Sequence, residues 1–69
     1  MGKLTALRKF RVDRSMSQAQ LGQEFGVAAE TVYRWEKGRR KIGLRLLPLV
    51  SQFTGIPREE LRPDVYGGA

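Results

Sequence analysis

The chain has 69 residues, a formal net charge of +6, no cysteine and no histidine. That length suits a single domain with a thin core, because chains of this size bury only about 60% of their unfolded surface, and it leaves little room for an enzyme with a deep enclosed pocket. The missing cysteine and histidine exclude disulfides and thiolate metal sites, and they remove the commonest metal ligand and general base.

The first helical pattern covers Lys3 to Asp13, with Leu4, Leu7 and Phe10 recurring every three residues among Arg8, Lys9 and Arg11. Arg14-Ser15 breaks it. Ser17 then offers an N-cap, and Gln20, three residues on, completes a capping box. The second helix runs from Gln18 to Phe25, with Leu21 and Phe25 on one face. Gly26 supplies the left-handed conformation that stops it. A third helix spans Ala29 to Lys37, with Val32 and Trp35 facing inward and Gly38 as its stop. Ala28 is a poor cap for it, because it has no side-chain acceptor. Arg39 to Gly43 reads as a basic connection. The fourth helix is expected over Leu44 to Phe53, giving Leu46, Leu47, Val50 and Phe53 to the core. Pro48 must then sit in its first turn, or the helix splits there. Pro57 suits a helix start, so Arg58 to Leu61 is a short fifth helix closed by Pro63. The domain is expected to fill 1–66. Residues 65–69 read as a mobile end, with 67–69 as the tail proper. No alternating strand pattern, internal repeat or linker is evident.

Two short helices joined by a glycine-containing turn are the layout of a helix-turn-helix, whose second helix enters the major groove of DNA. The local demands of that layout are met. Gly22 is small where the helices cross, Gly26 tolerates positive φ, and Leu21, Phe25, Val27, Val32 and Trp35 are apolar. Charge is placed to match. Residues 1–14 carry +4 and 34–45 carry +5, while 15–33 and 46–69 carry −2 and −1. Two concentrated basic segments point to a polyanion, either nucleic acid or an anionic membrane surface. No apolar run approaches the roughly 20 residues of a membrane span, and no secretory signal is visible.

The stretch Met16-Ser17-Gln18-Ala19-Gln20-Leu21-Gly22-Gln23-Glu24-Phe25-Gly26-Val27, followed by Thr31-Val32-Tyr33-Arg34-Trp35-Glu36-Lys37-Gly38, resembles the Cro/C1-type (XRE) helix-turn-helix regulators of phages and bacteria. The resemblance runs from Leu4 to Phe53. Gly22 stands where the family usually has alanine. The ending from Thr54 to Tyr66 is similar to that of Cro-like proteins of the YdaS group, some of which are antitoxins. The resemblance implies an all-α, five-helix, lambda-repressor-like DNA-binding domain. The absence of histidine, cysteine and a convergent acid pair argues against an enzyme, and no cofactor is expected.

It also implies roles, position by position. Gln18 would hold a DNA phosphate and buttress the third helix. Ala29, Glu30 and Arg34 would touch base edges, with Tyr33 beside them. Lys37, Arg39 and Lys41 would follow the phosphate backbone, and Arg11 with Glu36 would form an ion pair fixing the third helix. The chemistry of their neighbours adds Ala28 to the base-facing set and Arg40 to the phosphate-binding set. Chemistry supports Arg34 for guanine O6 and N7, and Glu30 for cytosine N4. Ala28 and Ala29 offer only methyl contacts. Glu30 has a second use open to it, as a first-turn acid favouring the helix dipole, and Tyr33 could instead pack on the first helix. Arg8, Lys9 and Arg14 read as solvated or peripheral, and Asp64, Glu59 and Glu60 as surface acids.

The reading that follows is a cytoplasmic, sequence-specific regulator that binds double-stranded DNA as a homodimer. Ile56, Pro57, Leu61, Val65 and Tyr66 are the candidate self-contact. The alternative is an antitoxin module whose apolar C-terminal segment binds a toxin protein. Neither reading calls for a metal, a small-molecule ligand or a membrane.

Overall fold

In a computed structural model, residues 4–66 are described. They form α1 (Thr5–Asp13), α2 (Gln18–Phe25), α3 (Ala29–Lys37), α4 (Leu47–Thr54) and α5 (Arg58–Leu61), and among these residues there is no strand. The bounds of α2, α3 and α5 are those expected from the sequence. At the start of α2 the Ser17 hydroxyl accepts from the Gln20 N–H at 3.0 Å, and the Gln20 side chain accepts from the Ser17 N–H at 2.8 Å. Gly26 ends α2 in the left-handed region at φ 72°. Ala28 makes no side-chain cap, as its chemistry requires. Lys3, placed at the start of the first helix by its pattern, lies outside the described residues, as does the 67–69 tail.

The fourth helix begins at Leu47 rather than Leu44, and residues 44–46 form a turn instead. Proline accounts for the shift. In a helix begun at Leu44, Pro48 would meet the Leu44 carbonyl without an N–H to offer it, and its ring would clash there. Begun at Leu47, the helix holds Pro48 in its first turn, where no donor is needed.

Four aromatic rings tie the helices together. Phe10 of α1 packs edge-on against Phe53 of α4 at 5.8 Å, Phe53 packs edge-on against Phe25 of α2 at 5.6 Å, and Phe25 meets Trp35 of α3 at a tilt at 6.3 Å. Leu7, Leu21, Val32, Leu47 and Val50 fill the space around them and are fully buried. Trp35 is therefore a core side chain. Ile42 is also fully buried, which corrects the reading of 39–43 as a basic connection only. Its side chain plugs the loop between α3 and α4 into the core, a burial that contributes about 2 kcal/mol.

The C-terminal segment differs from expectation in a way that bears on function. Ile56 and Leu61 are 8% and 3% exposed and belong to the core, so they have no surface to offer a second copy. With α4 only eight residues long, the core needs these two side chains to close its lower end. Pro57, Val65 and Tyr66 remain exposed. Residues 65 and 66 are not free chain either, because both N–H groups bond to the Arg62 carbonyl at 3.0 Å.

Candidate nucleic-acid interface

The orientation of α3 is set by one half of the helix-turn-helix gripping the other. An ideal Cβ at Gly22 would lie 2.5 Å from the Val27 carbonyl oxygen and 3.3 Å from that of Ala28. The turn therefore folds directly over Gly22, and the Val27 N–H reaches back to the Gly22 carbonyl at 2.9 Å. Only a residue without a side chain permits that approach.

A second grip comes from Glu36, whose side chain is 3% exposed. Arg11 donates to it twice, from Nε to Oε2 at 2.7 Å and from Nη2 to Oε1 at 3.1 Å. Gln18 Nε2 donates to Oε1 at 3.2 Å, and Arg11 Nη1 donates to the Met16 carbonyl at 3.1 Å. One carboxylate thus joins α1, the start of α2 and α3. The hydrogen bonds that Arg11 donates to Glu36 raise the Arg11 pKa above its ordinary value against the opposing effect of burial, so this guanidinium stays charged at any pH the protein meets. The expected Arg11–Glu36 pair is present, with Gln18 joined to it.

The outward face of α3 carries Glu30, Arg34 and Lys37 exposed, with Ala29 and Tyr33 half-buried beside them and Ala28 exposed just before. Arg34 Nη2 bonds Glu30 Oε2 at 2.8 Å, one turn apart. Both groups are largely in solvent, so the pair adds little stability, but it lays the guanidinium along the helix surface. Tyr33 is flanked by two cations, Lys37 Nζ at 5.9 Å and the Arg39 guanidinium at 6.0 Å from its ring centre. Beyond Gly38, Arg39, Arg40 and Lys41 form an exposed basic loop.

Sequence reasoning missed two features of this surface. Arg8, expected to be peripheral, lines a polar hollow between α1 and α3 together with Gln18, Tyr33 and Lys37. Its signal was available, since Arg8 and Arg11 are three apart on one helix face. The other feature is Asp64, whose Oδ2 takes Lys41 Nζ at 3.3 Å while Arg62 forks onto both of its oxygens. Those bonds, from Arg62 first and then Lys41, hold the Asp64 carboxyl well below the usual carboxylate range. A depressed folded-state pKa stabilises above the unfolded value, about 3.9, and loses that effect as pH falls through the folded one. The difference in melting temperature between the wild type and Asp64→Asn should therefore be flat from about pH 7 to 5 and shrink below about pH 4. A difference that stays constant into acid would contradict the assignment.

No helix among the described residues is long and apolar enough to cross a membrane, and no three His, Cys, Asp or Glu side chains gather there to hold a metal ion. Residues 7–61 match the family described as Helix-turn-helix. Among similar proteins, a cryptic phage CTXphi transcriptional repressor, RstR, of Vibrio cholerae is 31% identical over 58 residues, covering 84% of this chain and 52% of that protein. Uncharacterised HTH-type transcriptional regulators of Sinorhizobium medicae and Rhizobium meliloti are each 30% identical over 61 residues, covering 88% of this chain and 44% of theirs. The chain spans about half the length of these curated relatives. No solved structure matches it.

Proposed function

Because the chain belongs to the helix-turn-helix family, in its Cro/C1-type branch, we propose that it is a sequence-specific, DNA-binding regulator of transcription. The observation that carries this reading is the Glu36 junction. It locks α3 against α1 and α2 with Glu30, Tyr33 and Arg34 turned outward, beside a loop of three exposed cations. In this reading α3 lies in the major groove. Arg34 takes guanine O6 and N7, Glu30 accepts from a cytosine N4, and Tyr33 covers the flank. Ala28 and Ala29 give methyl contacts. Gln18, Lys37, Arg39, Arg40 and Lys41 bind phosphates, adding salt-dependent affinity that is blind to sequence.

One such domain touches few bases, so two copies would pair on a pseudo-palindrome with their α3 helices about 34 Å apart. Pro57, Val65 and Tyr66 are the exposed remnant of the expected self-contact. The simplest mechanism is repression by covering a promoter in the cytoplasm of a bacterium, in the manner of a phage or prophage regulator. The V. cholerae relative, itself named as a phage repressor, supports that direction. The toxin-binding alternative has less to work with, since Ile56 and Leu61 are enclosed in the domain. Nothing in the site calls for catalysis.

Selection from random duplex DNA tests the reading and should return a site with two-fold symmetry. Equal binding of all duplexes at physiological salt would sink it. Arg34→Ala should relax the choice at one base pair by about 1–3 kcal/mol. Lys41→Ala should weaken every sequence alike and flatten the dependence on salt. If the two changes gave the same pattern, the division between readout and phosphate binding would be wrong.

A further inference from the structure

The basic loop between α3 and α4 has very little backbone structure of its own. At its start the Arg39 N–H bonds to the Arg34 carbonyl, and at its end the Gly43 carbonyl accepts from Leu46 and Leu47. Between those points, among the described residues, a single backbone group has a protein partner. It is the Ile42 carbonyl, and its donor is Arg62 Nη1 at 2.6 Å, twenty residues away. The rest of that guanidinium is held by Asp64, Nε to Oδ1 at 2.9 Å and Nη2 to Oδ2 at 2.8 Å. The Arg62 side chain is 13% exposed, and it follows Leu61, which is anchored in the core. A planar donor fork filled on both sides has little freedom left.

We propose that Arg62, braced by Asp64, is a positioning residue for phosphate binding: it holds the 39–41 loop in the shape that presents its cations to the DNA backbone, without touching DNA itself. The inference rests on the DNA-binding reading of that loop. The physical reason is pre-organisation. An unclamped run of exposed residues must be ordered when it binds, and that entropy is lost from affinity. The Ile42 side chain alone pins one point of the loop, and the Arg62 bond to its carbonyl fixes the direction in which the chain leaves it. Lys41 rests on Asp64 in the free protein, but its side chain is 67% exposed. It can swing to a phosphate while the Arg62–Asp64 fork stays closed.

The test is a double-mutant cycle on binding to a duplex of unrelated sequence, read as affinity against salt concentration. Arg62→Met keeps an unbranched apolar stem and removes the hydrogen bonds of the guanidinium. It should weaken binding about three- to tenfold, and the slope of log affinity against log salt should fall by about 0.9, one phosphate contact's worth. Lys41→Ala should then cost less in the Arg62→Met background than in the wild type, because the clamp acts through the loop. A role confined to stability would lower the melting temperature but leave the slope unchanged and the two substitutions additive, and that result overturns the proposal. If circular dichroism shows that Arg62→Met has lost its helices, Arg62→Lys carries the same test. A lysine can still reach the Ile42 carbonyl but cannot fork, so its slope should fall in the same direction by less than in Arg62→Met, and a wild-type slope rejects the clamp. A wild-type protein whose salt slope ignores Lys41→Ala would instead bring down the DNA-binding reading of the loop, and the clamp with it.

Discussion

Replacing Arg11 with methionine is expected to cost about 3–5 kcal/mol of folding stability. The cost comes from what remains. Glu36 would lose its charged partner in a site where its side chain is 3% exposed, with the amide of Gln18 as its one remaining side-chain donor. The Met16 carbonyl would lose its bond from Arg11 as well. Small domains are stable by only about 5–15 kcal/mol, and this chain is near the lower limit of domain size. The variant should thus melt tens of degrees below the wild type or be largely unfolded at 37 °C. Urea denaturation followed by circular dichroism measures it. Changing both partners, Arg11→Met with Glu36→Leu, should recover most of the loss, since an apolar pair of similar volume replaces a buried ion pair at little or no cost. Affinity for DNA should not recover with it, because Gln18 then has no carboxylate to hold its amide in place. A single substitution costing less than about 1 kcal/mol would show that the pair behaves as a surface salt bridge.

The second large effect is expected at Gly22. A valine there puts its Cβ 2.5 Å from a backbone carbonyl and adds two methyl groups to the same contact. A backbone oxygen cannot rotate away as a side chain can, so the turn between α2 and α3 must open. Overpacking of that kind costs about 3 kcal/mol, and valine gains only a few tenths of a kcal/mol in helix propensity over glycine to offset it. Alanine is the finer test. It gains up to about 1 kcal/mol in propensity and meets the same carbonyl with its Cβ, so a net loss near 1 kcal/mol is expected. Because the turn sets the angle of α3, both variants should lose discrimination among DNA sequences more steeply than they lose stability. An alanine variant more stable than the wild type would mean that the turn can relax without resistance.

Gly22 illustrates how far local pattern carries. The need for a small residue there follows from the layout of two crossing helices, and it was visible in the chain itself. The bounds of α2, α3 and α5 were legible for the same reason. The capping box at Ser17–Gln20, the left-handed stops at Gly26 and Gly38, and Pro57 ahead of α5 all act within a few residues of themselves. The start of α4 was not legible. Its apolar residues run on without a break from Leu46 to Val50 around Pro48, so periodicity could not say which turn the proline occupied. Ile42 was missed because one apolar residue among cations has no period at all. Ile56 and Leu61 were read as a contact surface because an apolar residue near a chain end looks the same in sequence whether it packs inward or outward.

By itself, the sequence determined the all-helical class, the helix-turn-helix and the identity of α3, and each of these rests on short-range chemistry or on a spacing of residue types. The pairing of Arg11 with Glu36, 25 positions apart, was implied only by the family resemblance. The tertiary structure alone decided that Ile42, Ile56 and Leu61 close the core, that Gln18 shares the carboxylate of Glu36, and that Arg62 and Asp64 reach across to the basic loop. The polar contacts among them join residues 18 to 23 positions apart, and loop closure over such distances leaves no periodic trace in the chain. Their partners become neighbours only when burial of the apolar faces has fixed where each helix lies.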